Sequence, residues 1–561
     1  MLTLWPVDSL VKVFPDDRAP AQQGAIEVLA ARGAIESGQF ALQSDRDVAR
    51  LEIRIEPPVS ADGKNRLDGI YWRRVEFVPV HSPAFCLDPS ERLRPGASFF
   101  PDPLLDEEAI AGIYPNTGWC EANTGFVPGG MTIPIWLTLP VPEDAVPGRY
   151  EGRITVISEA SESSLPLVVM VSPALLPAAR TLKLTHWFSA AHIANAAGVT
   201  PWSEAHWHLL ALWARNLADH RANVVLTPIT ELLRLTRDLQ WKLHVDFTAF
   251  DRWVETFLQA GAIGYIEGGH LAARYHGWDN GFGLTPFTVY HANSGRPDKL
   301  ESWPVEDTAT RDFLADLLPQ LVAHLRERGW LERYFQHLAD EPVAGNAASY
   351  QSLADTVRSS APELRRLDAT MADASLTGTV NIWCPQSKEA EHDLAFFQAR
   401  QAAGDEVWHY TCLAPNGSYP NRFINQPLLG TRVLHWFNFT AGLTGYLHWG
   451  WNQWNGFDTA ISPFCDLESR SPQGRHNLPG GDTHIMYPGP HGRPLDSIRH
   501  EMVLEGVQDY ELLKVLEAQR PEKARQLGTQ VVPTLTQYLR DPQRFRLVRA
   551  RLLTLVAEVQ R

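Results

Sequence analysis

Up to about residue 178, apolar side chains recur at every second position. Leu51-Glu-Ile53-Arg-Ile55, Ile133-Pro-Ile135-Trp-Leu137-Thr-Leu139, Tyr150-Glu-Gly152-Arg-Ile154-Thr-Val156 and Leu165-Pro-Leu167-Val-Val169-Met-Val171 each set an apolar face against a polar one, the alternation of half-buried strands. Pro and Gly punctuate the gaps, as at Val146-Pro147-Gly148, so residues 1–178 are expected to form an antiparallel β-sandwich. Ser172 to Arg180, with Pro173 and Pro177, reads as the linker that leaves it.

From Leu182 the period changes. Short apolar runs begin near Leu182, Asn223, Ile263, Arg333, Arg365, Val380, Glu406 and Gly445, and amphipathic stretches over 202–220, 250–260, 311–328, 347–360, 391–403 and 428–441, with a last one from Ser497, separate most of them. Eight strands alternating with helices predict a (β/α)8 TIM-like barrel over residues 179–520, whose functional groups gather at the carboxyl ends of the strands. Residues 521–561 are expected to be a C-terminal helical extension, with helices over Val531–Leu539 and Phe545–Val556. The fold class is therefore multidomain α/β: sandwich, barrel, helical tail.

Composition narrows the function. A net charge of −15 over 561 residues argues against nucleic acid and against an anionic membrane surface, since both need a positive footprint. The start of the chain lacks a basic segment followed by an apolar run, and no stretch reaches membrane-spanning length, so a soluble protein is expected. Five cysteines, Cys86, Cys120, Cys384, Cys412 and Cys465, are odd in number and widely spread; they read as reduced thiols of a cytoplasmic protein. Neither a metal nor a cofactor is expected: His206 and His208 diverge on a helix, there is no HExxH, and no serine elbow or nucleotide loop is present.

The candidate chemistry lies in Tyr334-Phe335-Gln336-His337-Leu338-Ala339-Asp340-Glu341-Pro342, an apolar run that ends in two carboxylates and a proline. Successive strand residues face opposite ways, so Asp340 and Glu341 share a pocket only if the strand stops and the backbone turns there. The barrel puts them at the mouth, closing the fourth strand. Other strand ends bring Trp187, Trp383, Trp408, Tyr410, Trp449 and Trp454, with His186, His220, Asn223, Glu267, His270, His337, Asn421 and Asn452 as polar partners. Flat aromatic walls suit a sugar ring, and paired carboxylates suit glycosidic cleavage. Adjacent acids are awkward for double displacement, which needs carboxyls about 5 Å apart across the bond. They suit a substrate whose own 2-acetamido group attacks, leaving the enzyme to supply a proton donor and a carboxylate that steadies the cyclic intermediate.

The chain resembles glycoside hydrolase family 123. The likeness is carried by Pro101-Asp102-Pro103, Pro147-Gly148-Arg149-Tyr150, Ala339-Asp340-Glu341-Pro342, Trp408-His-Tyr410-Thr411-Cys412, Tyr446-Leu-His448-Trp449-Gly450, Tyr487-Pro488-Gly489, Ser497-Ile-Arg499 and Glu505-Gly506-Val-Gln-Asp509-Tyr510-Glu511. It implies a retaining, exo-acting β-N-acetylgalactosaminidase acting on a terminal N-acetylhexosamine by substrate assistance. Asp340 would orient the acetamido group in its ionised form and Glu341 would be the acid/base, protonated at the start. Trp383, Tyr410, Trp449 and Trp454 would wall the sugar, with the tyrosine hydroxyl on the acetamido carbonyl. A glycosidase pairing Glu341 with Glu267 or another acid on a sugar lacking the acetamido group, and a carbohydrate-binding protein without turnover, stay open as alternatives. Glu505, Asp509 and Glu511 read as a structural charge network.

Overall fold

A computed structural model describes residues 2–561 other than 22–23, 49, 82–83, 114–126, 160, 275–276, 455–462 and 465–477. The alternating stretches at the start form two facing sheets. One has the order Leu2–Val7, Ile35–Ser44, Thr132–Pro140, Tyr71–Val80, Ser98–Leu105 and is antiparallel throughout. The other runs Ile26–Arg32, Ser161–Leu175, Gly148–Ser158, Leu51–Ser60. Its first two strands are parallel, where the alternation predicts antiparallel pairing alone. Phe40, Leu137, Ile154 and Val169 from the two sheets meet with no exposed surface, as inward positions of a sandwich should. The last strand runs through Pro173 to Leu175, which shortens the expected linker.

Eight parallel strands close the barrel: Lys183–His186, Val224–Thr227, Tyr265–Gly268, Tyr334–His337, Arg365–Ala369, Ile382–Cys384, Glu406–Thr411 and Gly445–His448. Closure comes from the first and eighth strands, paired from Lys183 with Gly445 to His186 with His448. The interior is filled low down by Val224, Phe335, Leu367, Ile382, Trp408 and Leu447, so the barrel is a packed core open only at its carboxyl end.

Two excursions without clear periodicity raise the rim at that end. After the second strand the chain forms Arg234–Arg237 and Leu243–Asp246; after the third it forms Ala272–Arg274, Phe282–Leu284, Phe287–His291 and Pro297–Leu300. They pair into a four-stranded sheet and a hairpin.

The helix Ile498–Gln519 is buried along most of its length and packs between barrel and sandwich. Gln508 and Glu505 accept the backbone N–H groups of Ile35 and Ser37 at 2.8 and 2.9 Å. The tail forms helices Pro521–Val531 and Pro542–Val559. The helix expected over Val531–Leu539 is not one, because Pro533 holds Val532 at φ −131°, ψ 78° and so ends the preceding helix. No helix among the described residues is long and apolar enough to cross a membrane. Cys86, Cys384 and Cys412 are free thiols; Cys120 and Cys465 lie outside the described residues.

Candidate active site

The fourth strand points Phe335 and His337 into the barrel and continues through buried Leu338 and Ala339, whose N–H groups donate to Asp368 Oδ2 at 3.2 and 3.3 Å. The backbone then turns sharply: Glu341 has φ 47°, a left-handed conformation that costs a residue with a β-carbon about 1–3 kcal/mol. This turn lets adjacent residues present their side chains together. Arg274 holds it, one guanidinium nitrogen donating to the carbonyls of Asp340 at 2.8 Å and Glu341 at 2.6 Å. The same nitrogen stands 3.7 Å from Glu341 Oε2. Arg274 comes from the hairpin after the third strand, a stretch with no period to draw attention to it.

Asp340 and Glu341 are both half-buried. Burial and then the neighbouring Glu341 charge push the Asp340 carboxyl up to about 7, against the pull of Arg274. That direction runs against the expectation of a plainly ionised Asp340. The Tyr410 hydroxyl donates to Glu341 Oε1, and burial followed by the Glu341 charge raises that phenol well above its usual value.

Beneath the pair runs a buried ionic chain. Glu267 accepts from Thr185 Oγ1, from Trp187 Nε1 at 2.8 Å and from His337 Nε2 at 2.6 Å. His337 Nδ1 donates to Asp368 Oδ1 at 3.0 Å, and Tyr350 donates to Asp368 Oδ2 at 2.6 Å. Burial alone would lower the His337 pKa, but its two carboxylate partners outweigh that and raise it to about 9, a shift that favours the imidazolium form. His270 lies beside it, ring centroids 4.4 Å apart, and is kept neutral by burial and by the His337 charge.

Of the expected site residues, Asp340, Glu341 and Tyr410 come together at the mouth, with Glu267 buried beneath them. Trp449 leaves the eighth strand at the same end, half-buried, its indole N–H on Asp482 at 3.3 Å. Four others are placed elsewhere. His186 turns out of the barrel toward His500, ring centroids 5.9 Å apart. Asn223 precedes the second strand and so sits at the amino end, its carboxamide on Leu184 N and Arg180 O at 3.0 and 3.1 Å. Trp383 faces the helix layer, packed on Phe396 and donating to Asp405 at 3.0 Å. Trp454 packs on Trp213 and donates to Met486 O at 2.7 Å. Trp187, also expected there, donates to Glu267, and Arg274 binds the acidic turn.

Among the described residues three groups bring His and acidic ligand atoms within 4.8 Å of one another: His220–Asp496–His500, His270–His337–Asp368 and Glu389–His392–Asp393. In the second, His337 has given both ring nitrogens to carboxylates and has no lone pair to offer. In the first, Asp496 already accepts from Arg73 and Asn216, each at 2.7 Å.

Residues 187–516 match the family model described as "Glycoside hydrolase 123, catalytic domain". Among solved structures, the chain is similar to a family 123 glycoside hydrolase from Clostridium perfringens studied for glycolipid glycan hydrolysis, with 13% identity, 99% of this chain and 97% of that one covered, and a TM-score of 0.75. It is far less similar to a GH10 xylanase with a bacterial Ig-like domain from termite gut (10% identity, 87% and 100% covered, TM-score 0.34). No curated protein matches it.

Proposed function

Because the chain belongs to the glycoside hydrolase 123 family, we propose that it is an exo-acting, retaining β-N-acetylgalactosaminidase in which the 2-acetamido group of the substrate is the nucleophile. The observation that supports this reading is the left-handed turn at Glu341, where Arg274 binds the carbonyls of both acidic residues and the fourth strand ends. In the first step the acetamido oxygen attacks C1, the glycosidic C–O bond breaks, and Glu341 passes its proton to the leaving oxygen. Asp340 accepts the acetamido N–H and offsets the positive charge of the cyclic intermediate. In the second step the Glu341 carboxylate takes a proton from water as the water oxygen attacks C1. The ring opens, and two inversions leave the configuration retained. Trp187, Tyr410 and Trp449 wall the sugar.

The alternative that uses Glu267 as a second carboxylate loses support from that residue's surroundings. Glu267 has no exposed surface, and its oxygens accept from Thr185, Trp187 and His337. Buried in this way beneath the acidic turn, neither oxygen has open space beside it for a sugar carbon to approach.

The test is a panel of aryl glycosides on the wild type, Asp340→Asn and Glu341→Gln. The expected result is preference for the β-N-acetylgalactosaminide over the β-galactoside, inhibition by a thiazoline mimic of the cyclised sugar, and a loss of kcat in each variant on the order of 10²–10⁴. Preference for the β-galactoside, or variants as active as the wild type, would overturn the reading.

A further inference from the structure

Glu267, on the third strand Tyr265–Gly268, has no exposed surface and gathers three side-chain donors. Its Oε1 accepts from Trp187 Nε1 at 2.8 Å and from His337 Nε2 at 2.6 Å, and its Oε2 accepts from the Thr185 hydroxyl. Thr185 and His337 are as fully buried as Glu267 itself. Trp187 is half-buried and packs on the cluster that includes Tyr410, whose hydroxyl donates to Glu341. Of the bonds that Glu267 accepts from these three side chains, the one from the indole is therefore the one that reaches the mouth.

That bond selects the orientation of the ring. The indole meets His270 and His337 edge-on, at centroid distances of 5.1 and 5.3 Å and interplanar angles of 82° and 89°. A tryptophan has two broad χ2 states, and only one of them turns Nε1 to Glu267. The carboxylate is held in turn: His337 Nδ1 donates to Asp368 Oδ1 at 3.0 Å, and Asp368 Oδ2 accepts the N–H groups of Leu338 and Ala339 at 3.2 and 3.3 Å. A continuous line of hydrogen bonds thus runs from the indole to the two residues that precede Asp340.

We propose that Glu267 is a positioning residue: it fixes the indole of Trp187 as a wall of the sugar site and, through His337 and Asp368, sets that wall against the acidic turn. This rests on the reaction proposed above. What the role asks of Glu267 is an acceptor in the right place; no proton leaves it and it forms no bond to carbon. A glutamine whose oxygen takes the place of Oε1 keeps the bonds from the indole and the imidazole, and its NH2 group donates to Thr185 Oγ1. A leucine keeps none of them.

The experiment measures kcat and KM on the aryl β-N-acetylgalactosaminide for the wild type, Glu267→Gln, Glu267→Leu, Trp187→Phe and the two double variants. Glu267→Gln is expected to stay within about fivefold of the wild type in kcat/KM. Glu267→Leu should fall about tenfold below Glu267→Gln, mostly in KM, the scale of one hydrogen bond to a charged group. Trp187→Phe keeps a flat ring without the N–H, so in that background the difference between glutamine and leucine should vanish. A loss in Glu267→Gln on the order of 10²–10⁴ would give Glu267 a chemical role and overturn the inference, as would a glutamine–leucine difference that persists in Trp187→Phe. If Glu267→Leu does not fold, the other two single variants carry the test, and Trp187→Phe as active as the wild type would show that the bond positions nothing. If the wild type leaves the β-N-acetylgalactosaminide intact, it is the proposed reaction that fails, and the same variants on whichever aryl glycoside is cleaved decide the role of Glu267.

Discussion

Asp340 carries the proton balance of the site. Its carboxyl is raised to about 7, first by burial and then by the charge of Glu341. The proposed role needs the ionised form, so protonation as the pH falls through that value removes activity. With a dinitrophenyl leaving group, which needs little acid assistance, kcat/KM is expected to show an acidic limb near pH 7. In Glu341→Gln the neighbouring charge is gone while the burial remains, so the limb should move to lower pH; a limb that stays put or rises would mean that Glu341 does not act on Asp340. The sign is the informative part, because loss of a generic structural contact has no reason to shift this titration downward.

At the level of elements, the site depends on how the fourth strand ends. The left-handed Glu341 is held by a guanidinium from the hairpin strand Ala272–Arg274, which caps two consecutive carbonyls at 2.8 and 2.6 Å. Removing it leaves those two carbonyls without their donor and loosens the turn. Arg274→Ala is expected to lower kcat on aryl substrates by about 10², and, because Arg274 opposes the rise of Asp340, to move the acidic limb upward; a fall in activity with an unmoved limb would reduce Arg274 to a fold contact. The eight strands and the acidic pair were legible because each strand is a compact apolar run and because adjacent acids before a proline demand a turn. Which side a strand residue faces was harder to read. One position of slip inverts every side chain, and so Trp383 and His186, at strand ends that reach the mouth, lie behind the wall, while Thr185 and Trp187 serve it. Asn223 was legible in principle, since a residue before a strand sits at the amino end. Arg274 lies in an aperiodic excursion, where spacing carries no signal.

At the scale of the whole molecule, the sandwich is tied to the mouth by a buried ion pair. Asp102, on the strand Ser98–Leu105, accepts two bonds from Arg499 at 2.7 Å each and one from Tyr487 at 2.6 Å. These three residues come from separate pieces of the family likeness and meet with no exposed surface. Arg499 in turn donates to the carbonyls of Arg422, Gly481 and His484 at 2.8, 3.0 and 3.0 Å. That fixes the segment carrying Asp482, the partner of Trp449. A sandwich residue thus sets the position of a mouth aromatic through two links. Burial would raise the Asp102 pKa, but Arg499 outweighs it and holds the carboxyl below its ordinary value. A depressed carboxyl contributes stability above the unfolded value of about 3.9 and loses it as the pH falls through the folded value. Asp102→Asn leaves Arg499 buried without its counter-charge, a loss on the order of 3–5 kcal/mol. Denaturant unfolding at pH 7 should therefore place the variant well below the wild type, with the gap closing as the pH is lowered through the acid range. A gap that is constant with pH would show that the ionised pair is not what joins the two layers.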